Sequence, residues 1–188
     1  MDDVVAVYRR AAEGFGSLVR QVEASQWGRS TPCADWDVRA LVHHVVNEDA
    51  WAPPLLAGRT IAEVGDSLDG DLLGDDPVSA WDDRIGAALA AAGEDGVLDR
   101  VVHVSFGDIS GREYLSQMAT DHVIHGWDLA RGIGAPDDLD PDLVEWTWGF
   151  IEPQADAWRA AGVFGPRVEV PDGASLQVRL LALLGRTA

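Results

Sequence analysis

Asp121 and His125 stand four residues apart in Asp121-His122-Val123-Ile124-His125-Gly126-Trp127-Asp128-Leu129-Ala130, where apolar residues recur at helical spacing. Positions i and i+4 lie one above the other on a helix, so these two side chains can grip one small object. A divalent metal ion suits them, because carboxylate oxygen and imidazole nitrogen are both preferred ligands of Zn²⁺ and its neighbours. At about 100° per residue, Leu115, Met118, His122, Leu129 and Ile133 gather toward the core direction, while Asp121 and His125 share one flank. His122 falls nearer the centre of the stripe.

A second pair, His44 and Glu48, has the same i, i+4 spacing beside the stripe Val38, Leu41, Val42, Val45 and Asp49. Neighbouring residues diverge by about 100° around a helix, so His43 and His44 serve different sites. Spacing separates the two only weakly, and the pairing with Glu48 selects His44. Two helices that each place a polar i, i+4 pair beside an apolar stripe match the layout of metal sites in bundle cores. Each residue also has a plainer reading, as a hydrogen-bonded core histidine or as the partner of an arginine. Glu48 reads as an outer ligand or, in preference, as a general base or a solvated edge residue. Cys33 lies in a Pro-containing approach to the second helix with no histidine beside it in sequence, so it reads as structural.

The elements that must carry these residues are helices. Residues 3–24 form an amphipathic helix through Val4, Val7, Tyr8, Ala11, Phe15, Leu18 and Val22. A second starts with Asp37 as N-cap and is ended or kinked at Pro53-Pro54. Residues 59–77 are acidic, Gly-rich and expected to form a mobile loop with at most a short helical turn. A third helix spans 79–92, and 98–111 alternates as a β-hairpin or extended excursion. A fourth, 113–132, carries the opening motif and stops at Gly132-Ile133-Gly134; a fifth, 141–161, is kinked at Pro153; a short last one covers 174–184. The fold class is all-α: a four-helix bundle with extra short helices and a short β segment, taken as one domain over 1–188. The Trp residues read as core and interface packing, and the stretch around His103 and Phe106 as one wall of a pocket.

The formal net charge of −18 disfavours nucleic acid and anionic membranes as partners, since both demand a basic patch. No apolar run approaches the roughly 18 residues of a membrane span, and Met1-Asp2-Asp3 opens no signal peptide. The one Cys suits a reducing compartment, so a cytoplasmic protein is expected. All 14 basic residues are Arg and none is Lys, which points to a GC-rich coding genome.

Trp27 and Thr31-Pro32-Cys33-Ala34-Asp35-Trp36-Asp37-Val38-Arg39, leading to His44-Val45-Val46, resemble the second-helix signature of the mycothiol-dependent maleylpyruvate isomerase N-terminal domain group. That group belongs to the DinB-like superfamily of metal-binding four-helix bundles. Asp121-x-x-x-His125-Gly126-Trp127-Asp128-Leu129-Ala130 resembles the other half of the signature. The ending Leu180-Leu181-Ala182-Leu183-Leu184-Gly185-Arg186 is similar to that of an actinobacterial subfamily of metal-binding proteins. The resemblance implies a divalent ion, Zn first and Ni, Mn or Fe as alternatives, held by His44, Asp121 and His125. The isomerase has Glu at the acidic position, so the shorter Asp121 must reach further. Three ligands leave an open position, as catalytic sites do. His122 is then a fourth ligand, a partner behind the ligands, or a core variant.

The isomerase also has a C-terminal domain for which this chain leaves no room, so its reaction is not carried over. The implied chemistry is a metal- and mycothiol-dependent transfer to a small electrophile, S-transferase-like or isomerase-like, with Glu48 or His122 moving protons. The GC-rich genome agrees, since mycothiol belongs to high-GC actinobacteria. The rival readings are a metal-dependent hydrolase, a non-enzymatic metal-binding or sensing module, also as a homodimer, and a plain helical scaffold.

Overall fold

The computed structural model describes residues 3–188. Helix α1 (Val4–Val19) is capped by the Asp3 carboxylate, which accepts from the N–H groups of Val5 and Ala6. It buries Val4, Val7, Tyr8, Ala11, Phe15 and Val19 along one stripe. Helix α2 (Val38–Leu56) starts where Asp37 accepts from Ala40 N–H. Pro53 and Pro54 lie inside it, so the helix runs on to Leu56. A single turn, α3 (Ile61–Val64), follows on a Thr60–Glu63 capping box. Helix α4 (Pro77–Ala92) opens on Asp76 with proline in its first turn, where no amide donor is missed.

Strands β1 (Val101–Val104) and β2 (Gly107–Ser110) form the expected antiparallel hairpin, with His103 opposite Asp108. Helix α5 (Gly111–Ile133) follows at once and ends at Gly134, whose φ of 75° is open to glycine without strain. The four long helices close a bundle: α1 packs on α5 and α4, and α2 packs on α4 and α5. Gly16 permits the tightest of these approaches. A Cβ there would sit 2.6 Å from the Trp81 indole nitrogen, and Trp81 is buried against Phe15.

The contacts gather into two compact units, one of residues up to Pro136 and one of Asp137–Ala188. In the second, α6 (Pro141–Ile151), a 3₁₀ turn at Glu152–Gln154 and α7 (Ala155–Ala160) replace the single kinked helix expected there. The break falls at Pro153, whose ring and missing N–H cannot continue the ladder. Helix α8 (Leu176–Leu183) packs on α6. A run of touching rings, Trp146, Phe150, Trp158 and Phe164, lines this unit. Among the described residues no helix is long and apolar enough to cross a membrane.

The bundle core of the first unit holds a polar chain. Tyr8 donates to Asp49 Oδ1 at 2.6 Å, and His122 Nε2 lies 3.1 Å from Asp49 Oδ2. His122 Nδ1 donates to the Met118 carbonyl at 2.8 Å. The side chains of Asp49 and His122 are fully buried. Burial pushes His122 down, but the Asp49 charge and hydrogen bond, with the Met118 carbonyl, raise the imidazole above its usual range, which favours its charged form. Removing one partner strands a buried charge. Asp49→Ala is therefore expected to cost about 3–5 kcal/mol of folding stability, and Tyr8→Phe about 1–3 kcal/mol, both read from denaturant unfolding midpoints.

Candidate functional site

Helices α2 and α5 face each other with His44 on one and Asp121 and His125 on the other. His44 Nε2 lies 3.4 Å from Asp121 Oδ2, and His125 Nε2 lies 3.4 Å from Asp121 Oδ1. The two imidazoles meet edge to face at 5.1 Å between centroids. A ligand atom from each of the three lies within 4.8 Å of the others, so one ion could touch all of them. His43 takes no part in this group: its Nε2 lies 2.9 Å from Gly70 O and 3.2 Å from Leu72 N.

Two effects oppose each other at the Asp121 carboxylate. Burial pushes its pKa up, yet the neighbouring His125 and His44 imidazoles hold it well below the usual carboxylate range. Burial likewise pushes His125 down, while Asp121, Asp128 and Cys33 together raise it well above the usual imidazole range. The charged form of His125 is therefore favoured beside these carboxylates. Glu48 is raised by burial and by the neighbouring Asp121 charge, which equips it to hold a proton.

Among the described residues, five buried side-chain atoms have no hydrogen-bond partner: Tyr114 OH, Thr120 Oγ1, Trp127 Nε1, Thr147 Oγ1 and Asp121 Oδ2. The Asp121 oxygen is the charged one among them; His44 Nε2 stands 3.4 Å from it, longer than an ordinary hydrogen bond, and an ionised oxygen so loosely met is costly to bury. A cation between His44, Asp121 and His125 would satisfy it, so the residues present fit a divalent metal.

A second group that could hold an ion consists of Cys33, His125 and Asp128. Here the polar atoms already satisfy one another. His125 Nδ1 lies 3.0 Å from Asp128 Oδ2, and the Cys33 thiol donates to the same oxygen at 3.2 Å. Spacing alone missed Cys33 and Asp128, because the loop before α2 reaches α5 only in the fold. Gly132 permits that approach, since a Cβ there would sit 3.1 Å from the Thr31 and Val38 methyl groups. Trp36, from the same loop, packs its ring 4.6 Å from His44 and 5.6 Å from His125. This tryptophan borders the site, where the sequence had placed the Trp residues in packing roles.

Beside His44 opens a cleft of about 410 Å³ lined by Trp36, Ala40, His43, His44, Asn47, Leu68, Asp69 and Gly70. Its outer wall is the acidic segment expected to be a mobile loop, and α2 ties that segment down at one-turn intervals. Arg39 binds Asp71 and Gly74 O, His43 meets Gly70 O, and Asn47 donates to Leu68 O. The hairpin expected as a wall does not line this cleft: His103 pairs with Asp108 and Phe106 is exposed. His122 has both nitrogens committed in the core, facing Asp49 and Met118.

The family model described as mycothiol maleylpyruvate isomerase N-terminal domain matches residues 8–130, a span that holds all of these side chains. The chain belongs to that family. Two proteins of Mycobacterium tuberculosis, one from strain CDC 1551 and one from strain H37Rv, are each 29% identical to it over 144 residues. Both alignments cover 77% of this chain and 74% of the relative, and both relatives are described as uncharacterized proteins. No solved structure matches the chain. The family is a mycothiol-related one, and this member carries residue groups able to hold a metal ion.

The two shifted groups set a pH window. His125, raised in the folded state, contributes stability that is complete below the unfolded value of about 6.5 and is lost as pH climbs through the raised one. Asp121, depressed when folded, contributes above the unfolded value of about 3.9 and loses that contribution as pH falls. Chelator-treated protein is expected to be most stable between these limits and to weaken above neutrality. Denaturant midpoints measured from pH 4 to 9 check this, and Asp121→Asn should flatten both limbs.

Proposed function

We propose that the protein is a divalent-metal- and thiol-dependent transferase, or a related enzyme, that acts on a small electrophile with mycothiol as the thiol. The observation that carries it is the Asp121 carboxylate set between the His44 and His125 imidazoles, with no close hydrogen bond to its Oδ2 and with His44 lining a cleft. His44, Asp121 and His125 would hold the ion, with Zn²⁺ the favoured choice for two nitrogens and one oxygen. A divalent ion bound there lowers the pKa of a thiol or water and presents it as an anion at neutral pH.

The chain's own residues do the rest. Glu48, with its raised pKa, takes the proton released from the thiol and returns one to the product. Trp36 shields one face of His44 and His125 from water. Asn47 and Asp69 in the cleft wall offer polar partners, and no Arg lines that wall. The cleft therefore favours an uncharged, polar electrophile over a polyanion. His122 packs the core in this scheme and takes no part in proton transfer. A lone cysteine accords with a reducing, cytoplasmic site of action.

Elemental analysis of protein purified without chelator or a His tag is expected to find close to one divalent ion per chain, mostly lost in His44→Ala, Asp121→Asn and His125→Ala. With a panel of small electrophiles, conjugate should form only when metal and mycothiol are both present. Glu48→Gln should cut turnover about 10²–10⁴-fold while keeping the metal. Metal retained in His125→Ala would refute the site, and metal-loaded protein inert across the panel would refute the enzyme.

A further inference from the structure

We propose that Asp128 is a positioning residue for this site: it fixes the tautomer and ring plane of His125 so that Nε2 is the nitrogen turned toward His44 and Asp121. The inference rests on the metal reading above. His125 uses its two nitrogens on opposite sides. Nε2 lies 3.4 Å from Asp121 Oδ1, while Nδ1 lies 3.0 Å from Asp128 Oδ2. The Asp128 side chain is fully buried and sits three residues on along the same helix. An ionised carboxylate can only accept, so its partner nitrogen must carry the hydrogen. That leaves the lone pair of the neutral ring on Nε2. Carboxylates that hold a ligating histidine in this way commonly set both its orientation and its basicity.

The lock extends across the bundle. The Cys33 thiol donates to the same Asp128 oxygen at 3.2 Å, from a residue 95 positions earlier. Cys33 sits in a tight turn: its N–H donates to Thr31 Oγ1 at 3.1 Å, and that hydroxyl donates to Trp36 O at 2.8 Å. The turn thereby holds Asp128 from one side and lays Trp36 against the ligand rings from the other. Cys33 is in this scheme a support for Asp128, with no bond to the ion.

Zinc-loaded wild type, Asp128→Asn and Cys33→Ala separate the possibilities through zinc affinity, imidazole nitrogen–proton NMR and metal-free thermal unfolding. In the wild type, His125 should keep a slowly exchanging, far-downfield Nδ1 proton and bind zinc through Nε2. Asp128→Asn should lose that proton signature and weaken zinc about 10–100-fold, beyond any change in unfolding temperature. Cys33→Ala should keep the signature and weaken zinc less than Asp128→Asn does. Equal zinc affinity with an unchanged signature in Asp128→Asn would overturn the positioning role and leave the metal site standing. Should the Asp128 variant fail to fold, wild-type His125 bound to zinc through Nδ1 overturns the role by itself. Wild type that takes up no zinc overturns both readings.

Discussion

A carboxylate inside a helix bundle must be answered by a donor or a cation, and the first unit is arranged around that requirement. Helix α5 is buried nearly all round although its sequence is rich in polar groups. Each of its polar faces therefore has to meet something specific. His122 answers Asp49 of α2, with Tyr8 of α1 on the other oxygen. Asp128 receives His125 Nδ1 and the Cys33 thiol. Asp121 stands between two imidazoles and still has one oxygen unanswered. The first two clusters are complete in themselves, and the third is the one that calls for a further positive charge.

The division of labour follows from position on the helices. The Tyr8–Asp49–His122 chain lies in the sealed centre, where it ties α1, α2 and α5 together and no ligand can reach it. One flank round, the same two helices bring His44, Asp121 and His125 together, and His44 also lines a cleft. Rigid neighbours support that rim. The loop before α2 presses Trp36 on it, and the acidic 66–74 segment is tied down by Arg39, His43 and Asn47. A site of this kind needs its supporting contacts as much as its ligating atoms.

Much of this was legible in the sequence, and what escaped did so for a physical reason. Helical periods marked α1, α2, α4 and α5, and Gly, Pro and Asp signals placed most of their ends to within a few residues; α1, expected to reach residue 24, stops at Val19. Asp121 and His125 were legible because i, i+4 is a distance along one helix. His44 was separable from His43 only through its partner Glu48; in the fold both line the cleft, and His44 is the one that meets Asp121. Asp49 was visible as an acid in an apolar stripe, but its partners lay on other helices. Cys33 looked isolated because its neighbours His125 and Asp128 are 92 and 95 residues away. The shift from single helix to α6, 3₁₀ turn and α7 was marked by Pro153 alone. The loop expected to be mobile reads as polar and Gly-rich, and composition does not register the three side chains that pin it.

The proposed ion sits at His44, Asp121 and His125 and not at the neighbouring Cys33, His125 and Asp128. X-ray absorption at the metal edge of zinc-loaded wild-type protein distinguishes them by ligand type. The account predicts nitrogen and oxygen neighbours alone, at about 2.0–2.2 Å. A sulfur scatterer at about 2.3 Å would place the ion on Cys33 and contradict it.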